Sequence, residues 1–287
     1  MITVTRTGPC MGAEIAAIDL SQPVSDAAFG EIRDALHRHH VLVLRGQSLQ
    51  PRQFHAFASR FGQPEPHVLD QFHHPEIADI LILSNVQKDS KPTGLADGGT
   101  YWHTDYSYLT VPARATVLYS VQVPQVGGDT LFADQEQAYA DLPADMQRRI
   151  DDLVTINVYG NRDIPDLASR ESAFPPSDDQ KAVRGMVVTR HPLVRHHPYT
   201  GRKALYAVSG TSYGIEGMSE DDGLALLREL AAHSTQPRYR HRVCYGVGDV
   251  VLWDNASVLH SATLTDPVYP RTLLRVTTKE AGRTIVQ

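Results

Sequence analysis

Cysteine is nearly absent from this chain: Cys10 and Cys244 are the only two among 287 residues. Two thiols cannot build a disulfide framework, so a reducing cytoplasm is the expected setting. No run of apolar residues is long enough to span a bilayer, and the opening Met1-Ile2-Thr3-Val4-Thr5-Arg6 lacks the apolar stretch of a signal peptide. Positive charge is not in excess. The formal net charge is −6 with no compensating basic stretch, which argues against a nucleic-acid partner. Internal repeats, low-complexity tracts and interdomain linkers are missing too, so a single domain over residues 1–287 is expected. The remainder is ordinary for a soluble globular protein, with 41% hydrophobic and 21% charged residues.

Three segments carry helical patterning. Residues 25–39 open at Ser25 and place Phe29, Ile32 and Leu36 on one face; residues 51–61 start with Pro51 and stop at Gly62. Residues 220–233 follow Ser219 with capping-box spacing and bury Leu224, Leu227 and Leu230. Shorter helices are expected at 134–141 and 143–151. Between them lie short β-rich runs at 41–44, 80–83, 115–119, 186–188, 250–253 and 272–277. Many short strands punctuated by Gly and Pro predict a mainly β sandwich or barrel with peripheral helices. Two long irregular stretches, 85–101 and 160–184, are of a length usually given to lids and binding loops.

Fourteen histidines is a high count. Most have plain explanations: His37, His39 and His40 close a helix, where cationic or dipolar side chains suit the terminal carbonyls. His73 and His74 sit in a polar loop, and His196 and His197 precede the turn signal Pro198-Tyr199-Thr200-Gly201. His103 and His260 are different. In the extended segment Trp102-His103-Thr104-Asp105, residues two apart point to one side, so His103 and Asp105 can reach a single ion. His260 would come from a distant part of the fold, near the end of the strand that begins at Val250. Two imidazoles and one carboxylate suit a non-haem iron(II), with positions left open for substrate and dioxygen. A lone His-x-Asp is a weak signal, and the bland alternative is a surface His–Asp pair plus a core histidine.

Arginines add to the metal pattern. Arg271 and Arg275 are four apart on a strand and so share a face. Two guanidinium groups inside a barrel are costly without anions to pair with. The planar fork of Arg271 suits the carboxylate of a diacid; Arg275 is either the anchor for a second anion, the substrate's own acid group, or a rim residue in a surface ion pair. Gly127-Gly128-Asp129-Thr130 reads as a turn entering a strand, with the Thr130 hydroxyl placed to bond the same carboxylate.

With these residues in this order, the chain resembles the iron(II)/2-oxoglutarate-dependent dioxygenases of the taurine dioxygenase and 2,4-dichlorophenoxyacetate dioxygenase type. The similarity covers nearly the whole chain, through Leu42-Val43-Leu44-Arg45-Gly46-Gln47, Trp102-His103-Thr104-Asp105, Gly127-Gly128-Asp129-Thr130, His191-Pro192-Leu193-Val194-Arg195, Gly201-Arg202-Lys203-Ala204-Leu205-Tyr206 and Trp253-Asp254-Asn255 to His260, Arg271 and Arg275. The resemblance implies a double-stranded β-helix (jelly-roll, clavaminate-synthase-like). It implies iron(II) on His103, Asp105 and His260, with 2-oxoglutarate chelated to it and its far carboxylate held by Arg271 and Thr130. Dioxygen is the third cofactor, and succinate and carbon dioxide are released as a small organic acid, a sulfonate or carboxylate, is hydroxylated. Arg275 matches the arginine that binds sulfonate in taurine dioxygenases, and His67 lies near a substrate-contacting histidine. Relatives form dimers and tetramers, so a homo-oligomer is a further expectation.

Departures from the pattern concern the substrate. Where the taurine enzymes have an asparagine-rich approach to the metal motif, this chain has Gly98-Gly99-Thr100-Tyr101, and Tyr106 and Tyr108 follow the motif. Tyr101 and Tyr106 therefore become candidates for an aromatic substrate wall, which points away from taurine. Ala207-Val208-Ser209 stands where relatives often carry an asparagine. Alternatives are desaturation or oxidative decarboxylation of an amino-acid-derived substrate with the same cofactors, and a non-catalytic metal-binding β-barrel, which would leave Arg271 and Thr130 without purpose. A zinc hydrolase lacks a separate glutamate base near the ligands, and Asp105 disfavours a halogenase.

Overall fold

Valine- and leucine-rich runs become strands buried on both faces, and the alternation of their side chains divides the protein into layers. The computed structural model describes residues 2–96, 98–159 and 188–280; the stretch expected as a loop at 160–184 lies outside them, as does part of the strand expected at 186–188. Eight strands form the larger sheet, in the order Thr3–Arg6, Ala13–Ala16, Val41–Leu44, Val250–Asp254, Ala113–Gln122, Thr272–Lys279, Ile77–Ser84 and His73–His74. A smaller sheet places Thr130–Asp134 between Arg240–Val243 and Val258–Ala262. Every pairing in the two is antiparallel except that of Ala13–Ala16 with Val41–Leu44. This is the expected jelly-roll class.

The period-2 alternation is clean. Leu42, Leu44, Val250, Leu252, Ala115, Val117, Leu274 and Val276 face outward onto helices, in one core with Phe29, Ile32, Leu36, Phe54, Phe57 and Phe61. Their neighbours Val41, Val43, Val251, Trp253, Leu118 and Leu273 face inward and meet Phe132, Val243 and Val258 of the smaller sheet. Ala133 and Leu259 on the outer side of that sheet pack against the helix Glu220–Ser234. Each large aliphatic side chain so buried contributes roughly 1.5–3 kcal/mol. The inner face of the larger sheet turns polar at Thr116, Arg275 and Thr277, and that break in the apolar lining marks the site.

The helices form close to where their end signals lie. Ser25 accepts from the Ala28 N–H and caps Asp26–His39, and Ser219 accepts from the Asp222 N–H and caps Glu220–Ser234. The 51–61 segment is helical over Pro51–Ala58 and tightens into a 3-10 turn at Ser59–Phe61 before Gly62. Helices at Gln135–Ala140 and Ala144–Ile150 match the two shorter expectations. The 85–101 stretch is mostly irregular but contains a small hairpin, Gln87–Lys88 with Lys91–Pro92.

His40 ends the first helix with φ 61° and an N–H bond to Leu36 O at 2.7 Å. It closes the helix as expected and is buried, with Asp134 and Glu136 facing it. Burial pushes its imidazole down to about 3. The native state therefore takes up fewer protons than the unfolded chain below about pH 6.5. Its contribution to stability is complete above 6.5 and is lost as pH falls from there towards 3, at about 1.4 kcal/mol per pH unit. Asparagine tolerates positive φ and does not titrate. His40→Asn should flatten the acid limb of stability by about that slope in urea denaturation between about pH 6 and pH 4; parallel profiles for the two proteins would contradict it.

Candidate active site

His260 lies on Val258–Ala262, where Val258 and His260 point inward and Leu259 points out. His103 is hung on this strand by a pair of backbone bonds, His103 N to His260 O at 2.9 Å and His260 N to His103 O at 2.8 Å. Asp105, two residues on, is buried and reaches the same point. Its Oδ1 is 3.7 Å from Nε2 of each histidine, and the three ligand atoms lie within 4.8 Å of one another. Thr104 points the other way and donates to Asn255 O at 2.8 Å, and Trp102 packs on the core behind the smaller sheet. Gly99 approaches so closely, at φ +74°, that a Cβ there would stand 2.7 Å from His103 Cε1.

The carboxylate is held from several sides. Thr116 Oγ1 donates to Asp105 Oδ2 at 2.5 Å, and Arg275 Nη2 donates to Oδ1 at 2.6 Å. Asn255 links the pieces: its Oδ1 accepts from Asp105 N (3.3 Å) and Trp253 Nε1 (3.2 Å), while its Nδ2 donates to Thr116 Oγ1 (3.0 Å). Burial opposes the charge on Asp105, but the Arg275 guanidinium and the hydroxyl of Thr116 outweigh it and hold the carboxyl well below the usual range. Burial pushes His260 well below an ordinary histidine, so its ring is neutral.

A second group, half-buried His37 with buried His197 and Asp254, also has its ligand atoms within 4.8 Å of one another. Hydrogen-bond partners tell the two apart. His197 Nδ1 accepts from Tyr199 N at 3.2 Å and Thr200 N at 3.0 Å, so its proton sits on Nε2 and is donated to Asp254 Oδ2 at 2.9 Å. That nitrogen has no lone pair to offer a metal. His103 is the reverse: Nδ1 donates to the Tyr101 carbonyl at 2.8 Å, leaving the Nε2 lone pair directed at the cluster. His197, expected to be solvated or structural, is thus structural, tied to Asp254 in the interior, and half-buried His37 lies edge-on to it with ring centres 5.3 Å apart.

Arg271 and Arg275 lie on the inner side of the same strand edge, either side of inward-facing Leu273. Arg271 Nε donates to Gly128 O at 3.1 Å, and its guanidinium lies 5.7 Å from the ring centre of Tyr245. Thr130, paired in register with Val243 and Ala262, is bonded through Oγ1 to the Tyr245 hydroxyl at 2.7 Å. Arg275 lies 5.7 Å from the ring centre of Tyr106, which carries φ 55° and donates its hydroxyl to Glu65 O at 3.1 Å. Tyr106 and Tyr108 are buried edge-to-face, ring centres 5.8 Å apart, and Tyr108 meets Tyr159 at 4.8 Å. His67 tilts against Tyr106 at 6.4 Å, and Tyr101 leans on His103 at 4.8 Å. Contacts thus join seven of the candidate residues, His103, Asp105, His260, Arg275, Tyr106, His67 and Tyr101, into one group, while Arg271 and Thr130 meet each other through Tyr245 and Gly128.

The family model described as "Taurine catabolism dioxygenase TauD, TfdA family" matches residues 3–277. The chain belongs to this family. Among its relatives, an alpha-ketoglutarate-dependent 2,4-dichlorophenoxyacetate dioxygenase of Burkholderia sp. (strain RASC) is 33% identical, with 94% of this chain and 92% of that protein covered. An alpha-ketoglutarate-dependent sulfate ester dioxygenase of Pseudomonas putida is 31% identical over 93% and 86%. The crystal structure of AAD-2 in complex with Mn(II) and N-oxalylglycine superposes with a TM-score of 0.81 at 28% identity, covering 99% of this chain and all (100%) of the other.

The cofactors of this TauD/TfdA dioxygenase are iron(II), 2-oxoglutarate and dioxygen, and the residues present fit them. The neutral ring of His260, the Nε2 lone pair of His103 and an ionised carboxylate converge on one point, and the other carboxylate oxygen is already satisfied by Thr116. Motif reasoning missed Thr116, Thr277 and Tyr245, and it used Asn255 only as a family marker. Thr116 carried a faint signal, a threonine at an inward position of an otherwise aliphatic strand. Tyr245, in Cys244-Tyr245-Gly246, carried none.

Proposed function

We propose that this 2-oxoglutarate-dependent non-haem iron dioxygenase hydroxylates a small organic acid, a carboxylate, sulfonate or sulfate ester with an apolar or aromatic body. The observation that carries the substrate class is the juxtaposition of Arg275 with the buried Tyr106–Tyr108 wall beside the cluster. The chemistry of the named relatives agrees with it, one acting on an aryloxyacetate and another on sulfate esters. No helix among the described residues is long and apolar enough to cross a membrane, and two free thiols accord with a cytoplasmic setting.

His103, Asp105 and His260 would hold the iron, and Arg271 with Thr130 the far carboxylate of 2-oxoglutarate. When bound, the iron activates dioxygen, 2-oxoglutarate is decarboxylated to succinate, and a C–H bond of the substrate is oxidised. The chain's own residues do the rest. Arg275 keeps Asp105 ionised and is placed to orient an acidic substrate; Tyr106 and Tyr108 exclude water from that side. Neither a non-catalytic barrel nor a zinc hydrolase accounts for the cation at 271.

The test is succinate release from a panel of aryloxyalkanoates, sulfonates, sulfate esters and amino-acid derivatives. At least one acid should stimulate it; no stimulation by any class would defeat the substrate proposal. Arg275→Ala should raise KM for the acid by more than it raises KM for 2-oxoglutarate, and an equal rise in both would remove Arg275 as the acid's anchor. Asn255→Ala unties Asp105 N, Thr116 and Trp253 at once. Metal affinity should fall roughly 10- to 100-fold, the usual cost of losing a supporting partner, as measured by titration of the chelator-stripped protein; unchanged affinity would count against the network.

A further inference from the structure

We infer that Tyr245 is a positioning residue for the co-substrate, aiming the Thr130 hydroxyl and backing the Arg271 guanidinium so that the two act on one carboxylate as a unit. This rests on the proposal that Arg271 and Thr130 hold 2-oxoglutarate. Three separate stretches meet here: the 127–130 turn, the chain just past Arg240–Val243, and the residue before Thr272–Lys279. Val243 is the register partner of Thr130, and Tyr245, two residues beyond it, brings its hydroxyl to 2.7 Å from Thr130 Oγ1.

That contact holds two hydroxyl protons and has room for only one of them between the oxygens. A phenol is the stronger acid and an alkyl alcohol the better acceptor, so Tyr245 donates and Thr130 accepts. The Thr130 proton is then turned away from Tyr245 and offered onward, and a hydroxyl that is itself accepting a bond is a stronger donor. Burial, opposed by Arg271, pushes the phenol up to about 12, so it keeps its proton at neutral pH. The same ring lies 5.7 Å from the Arg271 guanidinium, within the range of attraction between a cation and an aromatic face. On the other side, Arg271 Nε is fixed by the Gly128 carbonyl at 3.1 Å. Gly128, at φ +67°, packs against the Arg271 stem so tightly that a Cβ would lie 2.8 Å from Cδ and Nε. The plane of the guanidinium is thereby set by the turn and the tyrosine together.

Tyr245→Phe keeps the ring and loses only the hydroxyl. The probe is 2-oxoglutarate, titrated calorimetrically without oxygen into the Mn(II)-loaded protein, so that no turnover intervenes. The expected result is an about tenfold weaker Kd, with kcat in the iron enzyme nearly unchanged while KM for 2-oxoglutarate rises. Thr130→Val should weaken binding by a similar factor, and the double variant should be little worse than either single one, because both remove the same directed proton. Wild-type affinity in Tyr245→Phe, or fully additive losses in the double variant, would overturn the inference. If the unaltered protein did not bind 2-oxoglutarate at all, the underlying assignment of the site would fail instead.

Discussion

Asp105→Ala should abolish 2-oxoglutarate turnover and destabilise the metal-free protein, two losses with separate causes. Asp105 is the one carboxylate of the cluster among the described residues, and without it only two imidazoles remain to hold a divalent cation. The loss of metal affinity should exceed the roughly 100-fold upper cost of deleting a supporting residue. The second loss comes from Arg275, whose Nη2 rests 2.6 Å from Asp105 Oδ1 with its side chain only 14% exposed. Removing Asp105 takes away the carboxylate of this pair and leaves the Thr277 hydroxyl, 3.0 Å from Arg275 Nε, as a neutral acceptor, at a cost of about 3 kcal/mol. A double variant, Asp105→Ala with Arg275→Ala, separates the two: denaturant stability should return most of the way, and turnover should not. Normal stability in the single variant would show that Arg275 relaxes to another partner. Retained succinate production would overturn the metal assignment.

Arg271→Ala should weaken 2-oxoglutarate binding by roughly 100- to 1000-fold, because truncating one side of a hydrogen-bonded charge pair costs several kcal/mol. Arg271→Lys restores the charge without the planar fork and should recover only part of that loss. The measurement is KM for 2-oxoglutarate at saturating primary substrate, with Kd determined on the oxygen-free protein. Since Arg271 donates to Gly128 O and lies against Tyr245, some loosening of the 127–130 turn should accompany the alanine variant. An unchanged KM would mean that the diacid is held elsewhere.

Local patterns were legible because their physics is local. Ser25 and Ser219 cap helices that begin one residue later. The alternation in Val41–Leu44 and Val250–Asp254 sends every second side chain to one layer. Spacing along a strand put Arg271 and Arg275 on one face, and Leu273 between them faces the same core. The 51–61 segment was legible in extent but not in form, since its last turn tightens to 3-10 geometry ahead of Gly62. For His40 and His197 the solvated and the structural reading stood side by side, and both are buried, because whether a helix end or a turn is covered depends on what packs over it.

The candidate ligands His103, Asp105 and His260, their order along the chain, the strand and helix periods and the cation eleven residues beyond His260 (271 − 260) could all be proposed from the amino-acid sequence. Tertiary structure alone decided which groups meet. Asn255 reaches Asp105 across 150 residues and Arg275 across 170, and Tyr245 finds Thr130 across 115. It also set the proton of His197 on Nε2 through two backbone N–H groups, and that of His103 on Nδ1 through one carbonyl, so that of these two rings only His103 turns an Nε2 lone pair towards its aspartate group. The reason is physical: periodicity and capping act over a few residues, whereas proton placement and ion pairing are set by strand ends that only the closed barrel brings together.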